Sequence, residues 1–221
     1  MLSREQVCAK IQGIGVLPSI RVSTAEEALF AASEVLECGI SVVEITMTVP
    51  GALDVIHELA HNTPELTVGA GTVLDIRTAH ACVDAGAAFV SSPGFNAAIT
   101  EFAVQKHVAC IPGALTPTEI MAAADAGADM IKIFPCSSVG GPAYIKALRA
   151  PFPHISFIAS GGVDQVNAAG FIRAGAVALG VGAELIPPTA VQLHDRNWIH
   201  ELADRFLGIV QRTRAEANHP K

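Results

Sequence analysis

Short β-branched or apolar runs alternate with alanine-rich segments of helical spacing along almost the whole chain. The runs are Val16 to Val22, Ser41 to Thr48, Leu66 to Val73, Ala88 to Pro93, Val108 to Leu115, Met130 to Pro135, Ser156 to Ser160 and Ala176 to Gly182. Runs of this length and content predict strands. Between them, segments such as Ala25 to Glu37, Leu53 to Ala60, Ala79 to Ala85, Ala97 to Lys106, Thr118 to Ala126 and Val166 to Ala174 repeat apolar residues at helical spacing. Three of these close on Ala-Gly, at Ala85-Gly86, Ala126-Gly127 and Ala174-Gly175, where a glycine lets the chain leave a helix and turn into a strand. Strand–helix units of about 20 to 26 residues, repeated eight times without a linker, predict an α/β single-domain (β/α)8 TIM barrel over residues 1–221. A doubly wound open sheet is the alternative. Past Gly182 the order weakens: "LIPPTAVQLHDRN" reads as a connection, and Trp198 to Arg212 as the last barrel helix.

Composition removes several classes of function. Hydrophobic residues make up 51% of the 221 residues and charged ones 16%, so the chain has a large core to bury. A net charge of -7, from Lys+Arg 14 against Asp+Glu 21, offers no basic field for nucleic acid or for an anionic membrane. No apolar run approaches the roughly 18 residues of a membrane span. The five cysteines are scattered, without a C-x-x-C, and nothing near Met1 has the charged-then-apolar order of a signal peptide. A cytoplasmic protein is expected.

Strand parity then places side chains, since alternate residues of a barrel strand face the interior and the surrounding helices. In "SVVEITMT" the parity puts Val43, Ile45 and Met47 against the helices and Glu44, Thr46 and Thr48 inside. In the sixth strand Ile131 and Ile133 face the helices, with Met130, Lys132 and Phe134 inside. Lys10, Lys106 and Lys146 fall on helices and Lys221 ends the chain, so Lys132 is the lysine that meets Glu44 in the interior. A structural ion pair is one reading, although buried pairs often add little net stability over apolar replacements. The other is chemical: an amine withdrawn from water is a nucleophile near neutral pH that condenses with a ketone or aldehyde.

The ends of the last two strands, "ASGGV" (159–163) and "LGVGAE" (179–184), are rich in glycine. Barrels often bind phosphate there, where glycines let backbone N–H groups approach an anion, though tight turns also explain such glycines. "GAGT" (69–72) lacks the third glycine of a dinucleotide fingerprint and reads as a strand end near the site.

With these residues in place, the chain resembles the 2-keto-3-deoxy-6-phosphogluconate and 4-hydroxy-2-oxoglutarate (KDPG/KHG) aldolases and the related 6-phosphogalactonate enzymes. The likeness runs through "VEIT" (43–46), "VGAGTVLD" (68–75), "SPGFN" (92–96), "IPGALTPTE" (111–119), "IKIFP" (131–135), "GGPAYIKAL" (140–148) and "SGGV" (160–163). It implies a class I aldolase with no metal and no cofactor. In it Lys132 forms a Schiff base with a keto acid phosphate substrate, Glu44 moves protons through a bound water, and pyruvate and glyceraldehyde 3-phosphate are released. It further implies that Thr72 and Pro93 line the pyruvyl end beside Phe134, that Ser160, Gly161, Gly162 and Gly182 hold the phosphate, and that the protein is a homotrimer.

Three positions depart from that pattern. Thr48 stands where many members carry an arginine, and Arg21, at the end of the first strand, resembles the arginine of the phosphogalactonate branch that substitutes for it. Ala183 replaces a phosphate-binding serine, and Ser160 replaces a threonine. One hydrogen bond to a charged group is worth roughly 1.5–3 kcal/mol, so Ala183 is expected to weaken phosphate binding by about tenfold or more.

Two other classes of function compete. "HELAH" (57–61) is a literal H-E-x-x-H, the ligand pattern of zinc hydrolases, but it falls on a helix outside the barrel and has no third ligand in view. A barrel that merely binds a phosphorylated metabolite, with Lys132 as an anion contact, would need no Glu44. Cys136, just after the lysine strand, reads more simply as a packing residue than as a reactive thiol.

Overall fold

A computed structural model describes residues 2–218. Nine parallel strands make the sheet: β1 (Val16–Ile20), β2 (Val42–Thr46), β3 (Thr67–Gly71), β4 (Phe89–Ser91), β5 (Ala109–Ile111), β6 (Gly113–Ala114), β7 (Ile131–Ile133), β8 (Phe157–Ser160) and β9 (Ala178–Val181). Their order is β5-β4-β3-β2-β1-β9-β8-β7-β6. β5 and β6 are two pieces of one stave, separated by Pro112, which has no N–H to give to a ladder. Its carbonyl still accepts from the N–H of Lys132 at 2.9 Å. Eight staves therefore surround the interior, as the eight apolar runs predict, and the fold is a (β/α)8 barrel.

The helices are α1 (Arg4–Ile14), α2 (Ala25–Glu37), α3 (Ala52–Asn62), α4 (Ile76–Asp84), α5 (Ala97–Gln105), α6 (Pro117–Asp125), α7 (Gly141–Arg149), α8 (Ala168–Arg173), α9 (Pro188–Gln192) and α10 (Arg196–Asn218). Local chemistry starts several of them. Thr116 and Glu119 form a capping box ahead of α6, whose first residue is Pro117, and Asp75 accepts from the N–H of Thr78 to open α4. The three Ala-Gly closures behave as expected, with positive φ at Gly86, Gly127 and Gly175. The segment read as a plain connection, "LIPPTAVQLHDRN", contains α9: Pro188 sits at a helix start, and Ala190 and Val191 are buried. The last helix is also longer than its expected span: past Arg212, Thr213 is buried and Arg214 donates to the carbonyls of Gln12, Gly13 and Val177.

α1 packs against β1, β5 and β9, with Val7 and Ile11 buried, and so covers the N-terminal end of the barrel. Arg4 at its start pairs with Asp129 at 2.9 Å. At mid-height the interior is solid: the Phe89 ring occupies the space a side chain at Gly69 would need. The end left for chemistry is the other one, where the strands finish. Lys221 and Met1 lie outside the described residues.

Candidate active site

Register and parity bring Lys132 and Glu44 together from opposite walls. On β7 the Cα of Lys132 pairs with those of Gly113 and Ile158, and on β2 Glu44 pairs with Ser19 and Gly69. Lys132 Nζ lies 3.3 Å from both Oε1 and Oε2 of Glu44 and 3.3 Å from Ser91 Oγ. The lysine is 8% exposed and the glutamate 1%. Ser19 Oγ donates to Glu44 Oε1 at 2.6 Å. Burial pushes the Glu44 carboxyl up, but the neighbouring Lys132 charge and the hydroxyls of Ser19 and Ser91 outweigh it, so the group is held below its ordinary value. The Phe134 ring stands beside the amine, its centroid 5.9 Å from Nζ.

Above this pair opens a cavity of about 400 Å³ at the C-terminal ends of the strands. Its walls include Arg21, Thr72, Pro93, Phe134, Ser160, Gly161, Gly162 and Gly182, the residues expected around a substrate. Thr72 holds a left-handed backbone at φ 58°, a conformation that costs a β-branched residue about 1–3 kcal/mol and gathers at functional sites. Among the described residues Arg21 makes no ion pair, so its guanidinium is available to an anion. At the far wall Gly161 and Gly162 take φ of 86° and 77°. Ser137 Oγ and Asn167 Nδ2 both donate to the carbonyl of Gly162 and fix that turn. Among the described residues the backbone N–H groups of Gly161, Gly162, Ala183 and Glu184 donate to no protein acceptor. That is the arrangement an oxyanion uses.

One expected residue is absent from the wall. Thr48 is exposed and exchanges a hydrogen bond of 2.7 Å with Thr46 Oγ1. The inward parity of "SVVEITMT" ends with β2 at Thr46. The N–H of Val49 then bonds the carbonyl of Thr46, so Thr48 lies in a turn past the strand end. The zinc pattern is likewise not assembled. His57 and His61 sit on the exposed face of α3, and His61 Nδ1 lies 2.8 Å from the carbonyl oxygen of His57. Among the described residues neither belongs to a group of three ligand-type side chains. Cys136 is buried against the carbonyl of Gly161, and burial pushes its thiol up to about 11, as a packing residue requires.

Residue-by-residue reading missed Ser19 and Ser91, as well as Glu184 on the cavity wall. Parity in the first and fourth strands points both serines inward, so the signal was present. Glu184 lies in a loop, where no periodicity applies.

A lysine and a carboxylate in contact at the open end of a (β/α)8 barrel, beside an anion-ready rim, define a lyase of the class I aldolase type. The family model "KDPG and KHG aldolase" matches residues 7–202, and the chain belongs to that family. The 2-dehydro-3-deoxy-phosphogluconate aldolase of Pseudomonas aeruginosa is 34% identical over 211 residues, covering 94% of this chain and 96% of the relative. A solved structure described as "Native KDPGal structure" superposes with a TM-score of 0.83 at 30% identity, covering 90% of this chain and 96% of that one. KDPG aldolase from Legionella pneumophila, captured with pyruvate as a covalent carbinolamine, superposes with a TM-score of 0.82 at 28% identity, covering 87% and 94%.

Proposed function

We propose that the chain cleaves 2-keto-3-deoxy-6-phosphogluconate to pyruvate and glyceraldehyde 3-phosphate, with Lys132 as the Schiff-base residue and Glu44 as the proton carrier. The single observation that carries this is the 3.3 Å contact of Lys132 Nζ with the Glu44 carboxylate at the base of an open cavity. A purely structural pair has no need of the cavity.

The steps follow from the groups present. The Lys132 amine, its surplus proton taken by Glu44, adds to the C2 carbonyl; Glu44 returns that proton to the carbinolamine hydroxyl, which leaves as water and gives an iminium and a free carboxylate. Glu44 accepts the proton of the C4 hydroxyl, directly or through water. The C3–C4 bond then breaks, its electron pair flows into the iminium, and the aldehyde departs. Protonation of the resulting enamine at C3 and hydrolysis of the iminium release pyruvate and the free lysine. Arg21 supplies the cation for the keto acid's carboxylate, in place of the arginine that Thr48 replaces, while Thr72, Pro93 and Phe134 shape the pyruvyl end. The phosphate lies against Ser160, Gly161, Gly162 and Gly182.

Arg21 also favours a second reading, 2-keto-3-deoxy-6-phosphogalactonate, which differs only in configuration. 4-Hydroxy-2-oxoglutarate, yielding pyruvate and glyoxylate, is a further substrate that needs no phosphate rim. We further propose a homotrimer located in the cytoplasm. None of the described helices is long and apolar enough to cross a membrane.

Borohydride reduction with pyruvate, followed by peptide mass mapping, tests the mechanism. A reduced pyruvyl adduct on Lys132 is expected, and folded protein that gains no adduct refutes it. Turnover on the three substrates separates the alternatives, and sedimentation tests the trimer.

A further inference from the structure

The Glu44 carboxylate is confined on two sides by neighbours on other staves. Beneath it lies Gly71, where a Cβ would stand 2.3 Å from Oε1. Beside it is Ser19 on β1, whose Cα is paired with that of Glu44 and whose hydroxyl donates to Oε1 at 2.6 Å. Lys132 stands 3.3 Å from each oxygen, and the Ser91 hydroxyl completes the cluster. In the reaction proposed above, the lysine gives up those contacts. Once its nitrogen is bonded to the substrate carbon, it carries fewer protons and must follow the substrate. A carboxylate that still had a proton to take and return would then be loosened on that side.

We propose that Ser19 is a positioning residue: its hydroxyl keeps the Glu44 carboxylate aimed at the reacting carbons during the steps in which Lys132 is covalently engaged. This rests on the aldolase reading of the site. Ser19 lines the cavity together with Glu44, so its hydroxyl is part of the site rather than of the packed interior. The charged residues on the cavity wall are Lys132 from β7, Glu44 from β2, Arg21 after β1 and Glu184 after β9. Of these, Lys132 is the one in hydrogen-bond contact with Glu44, and β4 contributes the neutral Ser91 to the same cluster. Loss of Lys132's contacts therefore leaves two hydroxyls on the carboxylate, Ser19 at 2.6 Å on Oε1 and Ser91, of which Ser19 is on the strand paired with that of Glu44. The same hydroxyl is among the groups that hold the Glu44 carboxyl below its ordinary value.

The test begins with borohydride trapping of pyruvate on the wild-type chain. Failure to label Lys132 overturns the aldolase reading and this proposal with it. With the label present, Ser19→Ala and Ser19→Gly are compared with Ser19→Thr, which keeps a hydroxyl. Both hydroxyl-less variants are expected to retain the Lys132 adduct, to lose about tenfold in kcat, and to show the acid limb of kcat displaced upward by about one pH unit. Ser19→Thr is expected to keep the wild-type limb. Adduct formation with an unmoved acid limb in the hydroxyl-less variants, or a Ser19→Thr limb displaced like theirs, overturns the proposal while leaving the aldolase reading intact.

Discussion

Glu44 lies across Gly71 so closely that a Cβ on the glycine would fall 2.3 Å from Oε1 and 2.4 Å from Cγ of the glutamate. Gly71 sits in an ordinary extended strand, so what the position demands is space, not an unusual backbone. Gly71→Ala is therefore expected to push the carboxylate off its contact with Lys132. A misplacement of about 1 Å costs on the order of 10²-fold in rate, while overpacking costs about 1–3 kcal/mol of stability. Steady-state kinetics beside urea unfolding reads both, and wild-type turnover in the variant refutes the relationship.

Glu44→Gln keeps the shape of the side chain and removes its ability to take a proton. Turnover is expected to fall by about 10²–10⁴-fold. A barrel that only bound a phosphorylated metabolite would keep its affinity and show no such loss. Ligand binding and turnover measured on the same preparation separate the two.

Acid should weaken the fold through the same carboxylate. Glu44 is held below its ordinary value when folded, and an exposed glutamate in the unfolded chain titrates at about 4.3. Its contribution is thus complete above that pH and is lost as pH falls through the lower folded value. The stability difference between wild type and Glu44→Gln, from urea unfolding, is expected to stay constant from neutrality to about pH 5 and to shrink as pH falls through and below about 4.3. A difference that grows on acidification contradicts this sign.

The rim after β9 lacks a hydroxyl at Ala183, although among the described residues its backbone N–H meets no protein acceptor. Ala183→Ser is predicted to lower KM about tenfold for a phosphorylated substrate, from one added hydrogen bond to a charged group, and to leave KM for 4-hydroxy-2-oxoglutarate unchanged. An equal effect on both substrates would place the phosphate elsewhere.

Arg21 and Thr48 make opposite predictions. Arg21→Ala is expected to raise KM about tenfold or more for every keto acid, phosphorylated or not, since it removes the cation proposed for the shared carboxylate. Thr48→Ala, at an exposed residue off the cavity wall, should leave the kinetics within about twofold. Product inhibition by pyruvate provides an independent reading of the same contact.

The eight staves and the inward placement of Lys132 and Glu44 could be read from the order of residues, because each follows from a local period of two or of three to four, and the Ala-Gly helix ends follow from glycine's tolerance of positive φ. Parity inside a strand is a short-range property, and a closed barrel converts it directly into inside and outside. Where periodicity ends, inference from it ends too: parity carried to Thr48 runs two residues past the end of β2, and the prolines at its start hide α9 from a helical pattern. That Ser19 donates to Glu44, that Ser91 reaches Lys132 and that Gly71 must be bare depended on staves distant in sequence being set side by side at one height. Relative height between strands is decided by how the ring closes and packs, a long-range property of all eight staves together, and no local pattern encodes it.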